Sequence, residues 1–245
     1  LEALPASAQK VIAKATRSSL ETGLDIAIGT IGSSGKGNYS SGRESSVLTD
    51  WLHTGATALT GGVGGFFGIA ALPIELPVTT GIMLRGIASI ADDFGHDLKD
   101  PRIRLECLNV FAMGSPSDGD DEMESAYLTT RMAMANVLDK AAAWIGGKSA
   151  QEVAAAVANG SAPPLIRFIV QVAARFEIVV TEKAVAQAIP YIGAATGAAI
   201  NAGFSDHFNT VARYHFGILA LEEKYGKERV QLFYESVRSK SEEEE

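Results

Sequence analysis

The chain has one cysteine, Cys107, among 245 residues, so neither an intramolecular disulfide nor a multi-cysteine zinc site can form. Cations are in short supply: 21 Lys and Arg face 29 Asp and Glu, a net charge of -8. That balance argues against nucleic acid as a partner, because neutralising phosphates takes clustered Lys and Arg. It also gives no attraction to anionic lipid. Aromatic residues are only 7% of the chain, although hydrophobic residues reach 47%. No cationic stretch followed by an apolar run opens the sequence, so no secretory leader is expected and a cytoplasmic location is. Alternating strands with hairpin turns are also lacking.

What is abundant is alanine, together with 25 glycines. Small residues let helix backbones approach closely, and the expected fold is all-α: one multi-helix domain with two glycine-rich central helices. Residues 1–31 read as an N-terminal amphipathic helix, with Val11, Ala15, Leu20, Leu24 and Ile28 spaced three to five apart. Residues 32–46 form a Gly/Ser-rich linker or loop, 47–238 a helical domain, and 239–245 a disordered acidic tail. Within the domain, "LPIELP" at 72–77 reads as an elbow, followed by a helix from about Thr79 to Phe94. Pro101 starts another segment, with apolar Ile103, Leu105, Leu108 and Phe111. "PPLIRFIVQVAARFEIVVTEKAVAQA" has the Val and Ile of a strand but the length and charge spacing of a helix. The last two helices break near Gly226.

The stretch "GGVGGFFGIAALPIELPVTT", Gly61 to Thr80, places five glycines in eight residues. Neither it nor "TIGSSGKG" fits a phosphate loop. Thr30 stands where a Walker A glycine is needed, Gly37 replaces the magnesium-binding Ser or Thr, and Phe67 occupies the third glycine position of a dinucleotide fingerprint. The uncharged run from Gly55 to Ile74 has the length of a membrane span. Its apolar residues contribute roughly 2 to 4 kcal/mol towards insertion, opposed by six glycines, Pro73 and two threonines. The balance is near zero, which suits a buried helix or a peripheral membrane contact. Glycine pairs four apart, Gly61 with Gly65, Gly64 with Gly68 and Gly193 with Gly197, give bare faces by which the two blocks could pack together.

Candidate chemistry is sparse. On a continuous helix Asp92 and Asp93 would share a face with His96, the minimum for an oriented base or a metal pair. Asp97, just past the helix end, suits a turn cap. His207 and His215, eight apart, could face the same way; Glu106 and Asp206 are further titratable groups. Cys107 has the setting of a core residue. The acidic loop after Asp118 lacks the glycine and glutamate of an EF-hand. Glu75 is isolated in the apolar elbow, and a buried carboxylate needs a partner. Arg85 is the expected one, with the alternative that Glu75 marks the polar end of an apolar cavity.

From Gly61 to Gly114 the glycine-rich lead, "LPIELPVTT", an Arg-bearing helix, "GHDLKDP" and "VFAMG" resemble the EcsC protein family, as do "IPYIGAATGAAINAGF" and "ARYHFGILALEEKYG". The similarity covers most of residues 5–238 and includes Gly61, Gly62, Gly64, Gly65, Pro73, Glu75, Pro77, Thr79, Thr80, Arg85, Gly95, Asp97, Pro101, Pro190, Gly193, Gly197 and Asn201. His96 departs from the pattern. The family takes its name from a bacterial protein encoded beside an ABC transporter and has no agreed activity or established catalytic set, so the two uncharged, glycine-faced blocks carry the functional expectation. The expected function is non-catalytic binding of a lipid, another apolar ligand or a membrane surface, without cofactor or metal. The ligand-contacting set would be Glu75, Thr79, Thr80, Arg85, Asp97, Tyr191 and Asn201. The alternatives are a hydrolase or metal-dependent enzyme using Glu75 with Asp92, His96, Asp97 or His207, and a module that binds a membrane transporter complex.

Overall fold

A computed structural model describes residues 5–29, 72–114, 120–187 and 194–244. The described residues form eight helices and no strand, so the fold is all-α. They are α1 (Ala6–Gly29), α2 (Leu72–Asp93), α3 (Pro101–Met113), α4 (Asp120–Ile145), α5 (Ala150–Ala158), α6 (Pro163–Gln187), α7 (Ala194–Tyr225) and α8 (Lys227–Glu244). The Gly/Ser-rich segment 32–46, the first glycine-rich block and Gly193 lie outside the described residues, and with them the expected pairing of the glycine blocks. Of the segment 239–245 expected to be disordered, residues 239–244 lie within α8, which continues to Glu244.

The helices start and stop where local chemistry directs. Asp100 caps α3 by accepting from the Arg102 amide at 2.8 Å, and Pro101 takes the first helical position, where a missing N–H costs nothing. Ser149 and Glu152 form a reciprocal capping box on α5. Gly95 ends α2 at φ 87, with its own amide on Asp92 O and the His96 amide on Ala91 O, the pair of bonds of a Schellman motif. Gly226, also at φ 87, separates α7 from α8.

"LPIELP" is not an elbow. It forms the first turns of α2, which runs unbroken from Leu72 to Asp93. Pro73 sits where amides have no intrahelical partner, and Pro77 in the next turn removes only one ladder bond, so both are tolerated near this end. "PPLIRF…" resolves as helix α6: its length outweighs its β-branched content.

The centre of the fold is α3, which packs against α1, α2, α4, α6 and α7. From Ile103 to Met113 every residue except Arg104 is buried. A helix buried on all sides lies inside the core. Phe111 of α3 meets Phe176 of α6 at 4.9 Å and Phe208 of α7 at 5.1 Å between ring centroids. α1 joins the same core through Ile12, Ala15, Leu20 and Leu24. It packs along α2, where a Cβ on Gly81 would meet Ile26 Cδ1 at 2.9 Å. Glycine therefore serves close helix approach in the described part of the fold too.

Candidate functional site

Because α2 is continuous, Glu75 and Arg85 are ten residues apart on one helix, about 15 Å of axial rise. The expected Glu75–Arg85 ion pair is therefore ruled out by helix geometry, and Arg85 is exposed. Glu75 is half-buried; its backbone carbonyl accepts from the Thr79 hydroxyl at 3.0 Å. Thr79 and Thr80 face the core, at 6% and 0% exposure. They are packing residues of α2. Tyr191 and the Asn201 side chain lie outside the described residues.

The enzyme set does not converge either. Glu75 and Asp92 are separated by seventeen residues of one helix, about 25 Å. Asp92 and Asp93 are exposed, whereas His96 lies beyond the Schellman turn and is buried, so the three share no face. Nε2 of His96 bonds Phe216 O at 3.0 Å, tying the α2–α3 turn to α7. Asp97 behaves as the sequence suggests: Oδ1 accepts from the Lys99 amide at 2.9 Å and shapes the turn. His207 Nε2 bonds Gly114 O at 2.7 Å at the end of α3. Cys107 is fully buried, and burial pushes its thiol above its ordinary range, so it is no nucleophile.

A different constellation is brought together instead. Glu106 on α3, His215 on α7 and Tyr127 on α4 are 5%, 0% and 4% exposed. His215 Nε2 lies 3.0 Å from Glu106 Oε2, and its Nδ1 lies 3.0 Å from the Tyr127 hydroxyl. A carboxylate only accepts, so Nε2 carries a proton; Nδ1 can exchange either role with the hydroxyl, and both nitrogens stay partnered in either charge state. Asn109 Nδ2 donates to the same Glu106 oxygen at 3.2 Å. Arg102 spans Glu106 Oε1 at 3.7 Å and Asp139 Oδ1 of α4 at 2.8 Å. Beside Tyr127, Arg131 of α4 pairs with Glu222 of α7.

Burial alone would push the Glu106 carboxyl up, but the charge and hydrogen bond of His215, with Asn109 and Arg102, outweigh it and hold it below the ordinary range. Burial drives the Tyr127 hydroxyl well above its usual value, so it stays protonated. The network thus joins three helices through one ionised carboxylate. A depressed carboxyl stabilises the fold above the unfolded-state value of about 4.3 and loses that contribution as pH falls through the lower folded-state value. Urea midpoints measured from about pH 6 to about pH 3 should fall more steeply for the wild type than for Glu106→Gln. Parallel curves would show that Glu106 is not ionised in the fold.

Sequence inspection had one signal for this network. In "RIRLECLNVFAMG", Glu106 and Asn109 continue the face of Arg102 into an otherwise apolar segment, and polar residues there need buried partners. Glu106 meets His215 across 109 residues, and His215 meets Tyr127 across 88, separations that spacing could not reveal.

Among the described residues no group of three or more His, Cys, Asp or Glu is placed to hold a metal ion. α2 is the one described helix long and apolar enough to cross a bilayer, and 56% of its apolar window is buried inside the protein, which makes it a core helix. Its outward stripe changes character along its length. Ile74 is 64% and Val78 39% exposed at the head, one turn apart, whereas Arg85, Asp92 and Asp93 are exposed towards the other end.

The architecture is thus an all-helical protein built around a buried central helix and a buried polar lock. The EcsC protein family matches residues 49–218, more than two thirds of the chain, and the chain belongs to that family. No curated protein and no solved structure matches it.

Proposed function

We propose that the protein is a non-catalytic accessory that binds a membrane surface reversibly through the head of α2. The observation that carries this reading is the exposure of Ile74 and Val78 on one helix face. They stand where the uncharged sequence from Gly55 meets a helix that is otherwise a core element. Moving both exposed side chains out of water is worth on the order of 2 kcal/mol, which locates the contact but is too little on its own for lasting attachment or insertion. The uncharged run ahead of them carries Val63, Phe66, Phe67 and Ile69, the apolar side chains on which surface binding would draw for the remainder. With a net charge of -8, attraction to anionic lipid plays no part.

Flotation with phosphatidylcholine vesicles tests this. Wild-type protein should float, and added salt or phosphatidylserine should not increase the floated fraction. Ile74→Asp combined with Val78→Asp alters only exposed positions, so the variant should fold normally and stay in the dense layer. Failure of the wild type to float, or equal flotation of the double variant, would remove the basis for the proposal.

A further inference from the structure

A groove of about 270 Å³ separates the end of α1 from α5. Leu24, Gly29, Ala150, Val153, Ala154 and Val157 give it an apolar lining. Its volume is that of roughly nine waters at ~30 Å³ each, room for an alkyl chain. The cause lies in the sequence of α5, "AQEVAAAVA", whose one buried residue is Val153. Leu24 and Val153 are buried beside the groove, and the alanines and Gly29 around them are too small to close the gap. A Cβ added at Gly29 would meet nothing within 4 Å.

The remaining lining residues are Gln151 and Asp25. Among the described residues no cation pairs with Asp25. Glu21 one turn earlier is the charge that acts on it, and Glu21 itself bonds Arg17 at 3.0 Å. Partial burial, and then the Glu21 charge, raise the Asp25 carboxyl above its ordinary range. An apolar slot beside a carboxylate that no described cation compensates selects an occupant with a hydrocarbon body and a positive end.

We propose that this groove is a binding site for a single-chain amphiphile with an ammonium head, its chain along Leu24, Val153 and Val157 and its head group at Asp25. The site is distinct from the Ile74–Val78 surface, and it stands or falls independently of the membrane reading.

Titration calorimetry on the full chain, without vesicles and with decylammonium, decanol and decanoate below their aggregation limits, tests the assignment. Decylammonium should bind saturably at one molecule per chain, about fivefold more tightly than decanol, the scale of one partly exposed charge pair. Decanoate should be the weakest of the three. Asp25→Asn should bring decylammonium down to the level of decanol without weakening decanol. Ala154→Trp, at an exposed position, should block all three ligands and leave the unfolding temperature unchanged. Decanoate binding as well as decylammonium, an unchanged preference in Asp25→Asn, undiminished binding in Ala154→Trp, or no saturable binding would each overturn the site.

Discussion

Replacing Glu106 with alanine should cost about 3–5 kcal/mol of folding stability, the range for breaking a buried charged pair from one side. The substitution leaves His215 Nε2–H and Asn109 Nδ2–H inside the core without their acceptor, and it opens space in a helix that touches five others. A domain of this size is stable by only about 5–15 kcal/mol, so the variant should approach the unfolding threshold. Glu106→Gln keeps an acceptor and most of the volume, and should cost less. Urea unfolding separates the two, provided the slope is unchanged, since a change in midpoint alone then reports stability. A loss under about 1 kcal/mol for Glu106→Ala would mean that water replaces the carboxylate readily and that the network does not hold α3, α4 and α7 together.

Among the described glycines, Gly114→Ala should be the most damaging substitution. A Cβ there would be driven into the ring of Phe208, with His207 Nε2 also at 3.1 Å. Phe208 is fully buried and packed against Phe111, Phe176 and Phe204, so the ring has nowhere to move. Overpacking of this kind costs about 1–3 kcal/mol. The added methyl also threatens the bond from His207 to Gly114 O, which closes the end of α3 on α7. Gly81→Ala makes the control, because its new methyl meets the far end of the flexible Ile26 side chain. Thermal unfolding should rank Gly114→Ala well below Gly81→Ala; equal losses would show that the Phe cluster yields as easily as one isoleucine tip.

Much of the fold was legible in the sequence because helix periodicity is a local property. Leu20 and Leu24 in α1, Leu105, Leu108 and Phe111 in α3, and the break at Gly226 all fall where spacing and backbone preference put them. Proline misled at "LPIELP", since a proline in the first turns of a helix looks the same in sequence as one that breaks it. That single misreading carried the Glu75–Arg85 pair with it, because an elbow would have folded ten residues back and a helix keeps them apart. His96 misled for the opposite reason: the positive φ of Gly95 turns the chain inward and takes the imidazole away from Asp92 and Asp93. The Glu106–His215–Tyr127 network depends on tertiary packing of three helices, and no local pattern encodes which of four histidines the buried glutamate meets.

Cys107 is buried, so a cysteine introduced at position 74 is the one site a thiol-reactive nitroxide can label among the described residues. Power saturation of Ile74→Cys carrying that label, with and without phosphatidylcholine vesicles, tests the membrane reading where it is most specific. Contact through the head of α2 requires that vesicles raise the label's accessibility to oxygen and lower its accessibility to a water-soluble nickel chelate. Unchanged accessibility to both, under conditions where vesicles are in excess, would contradict it.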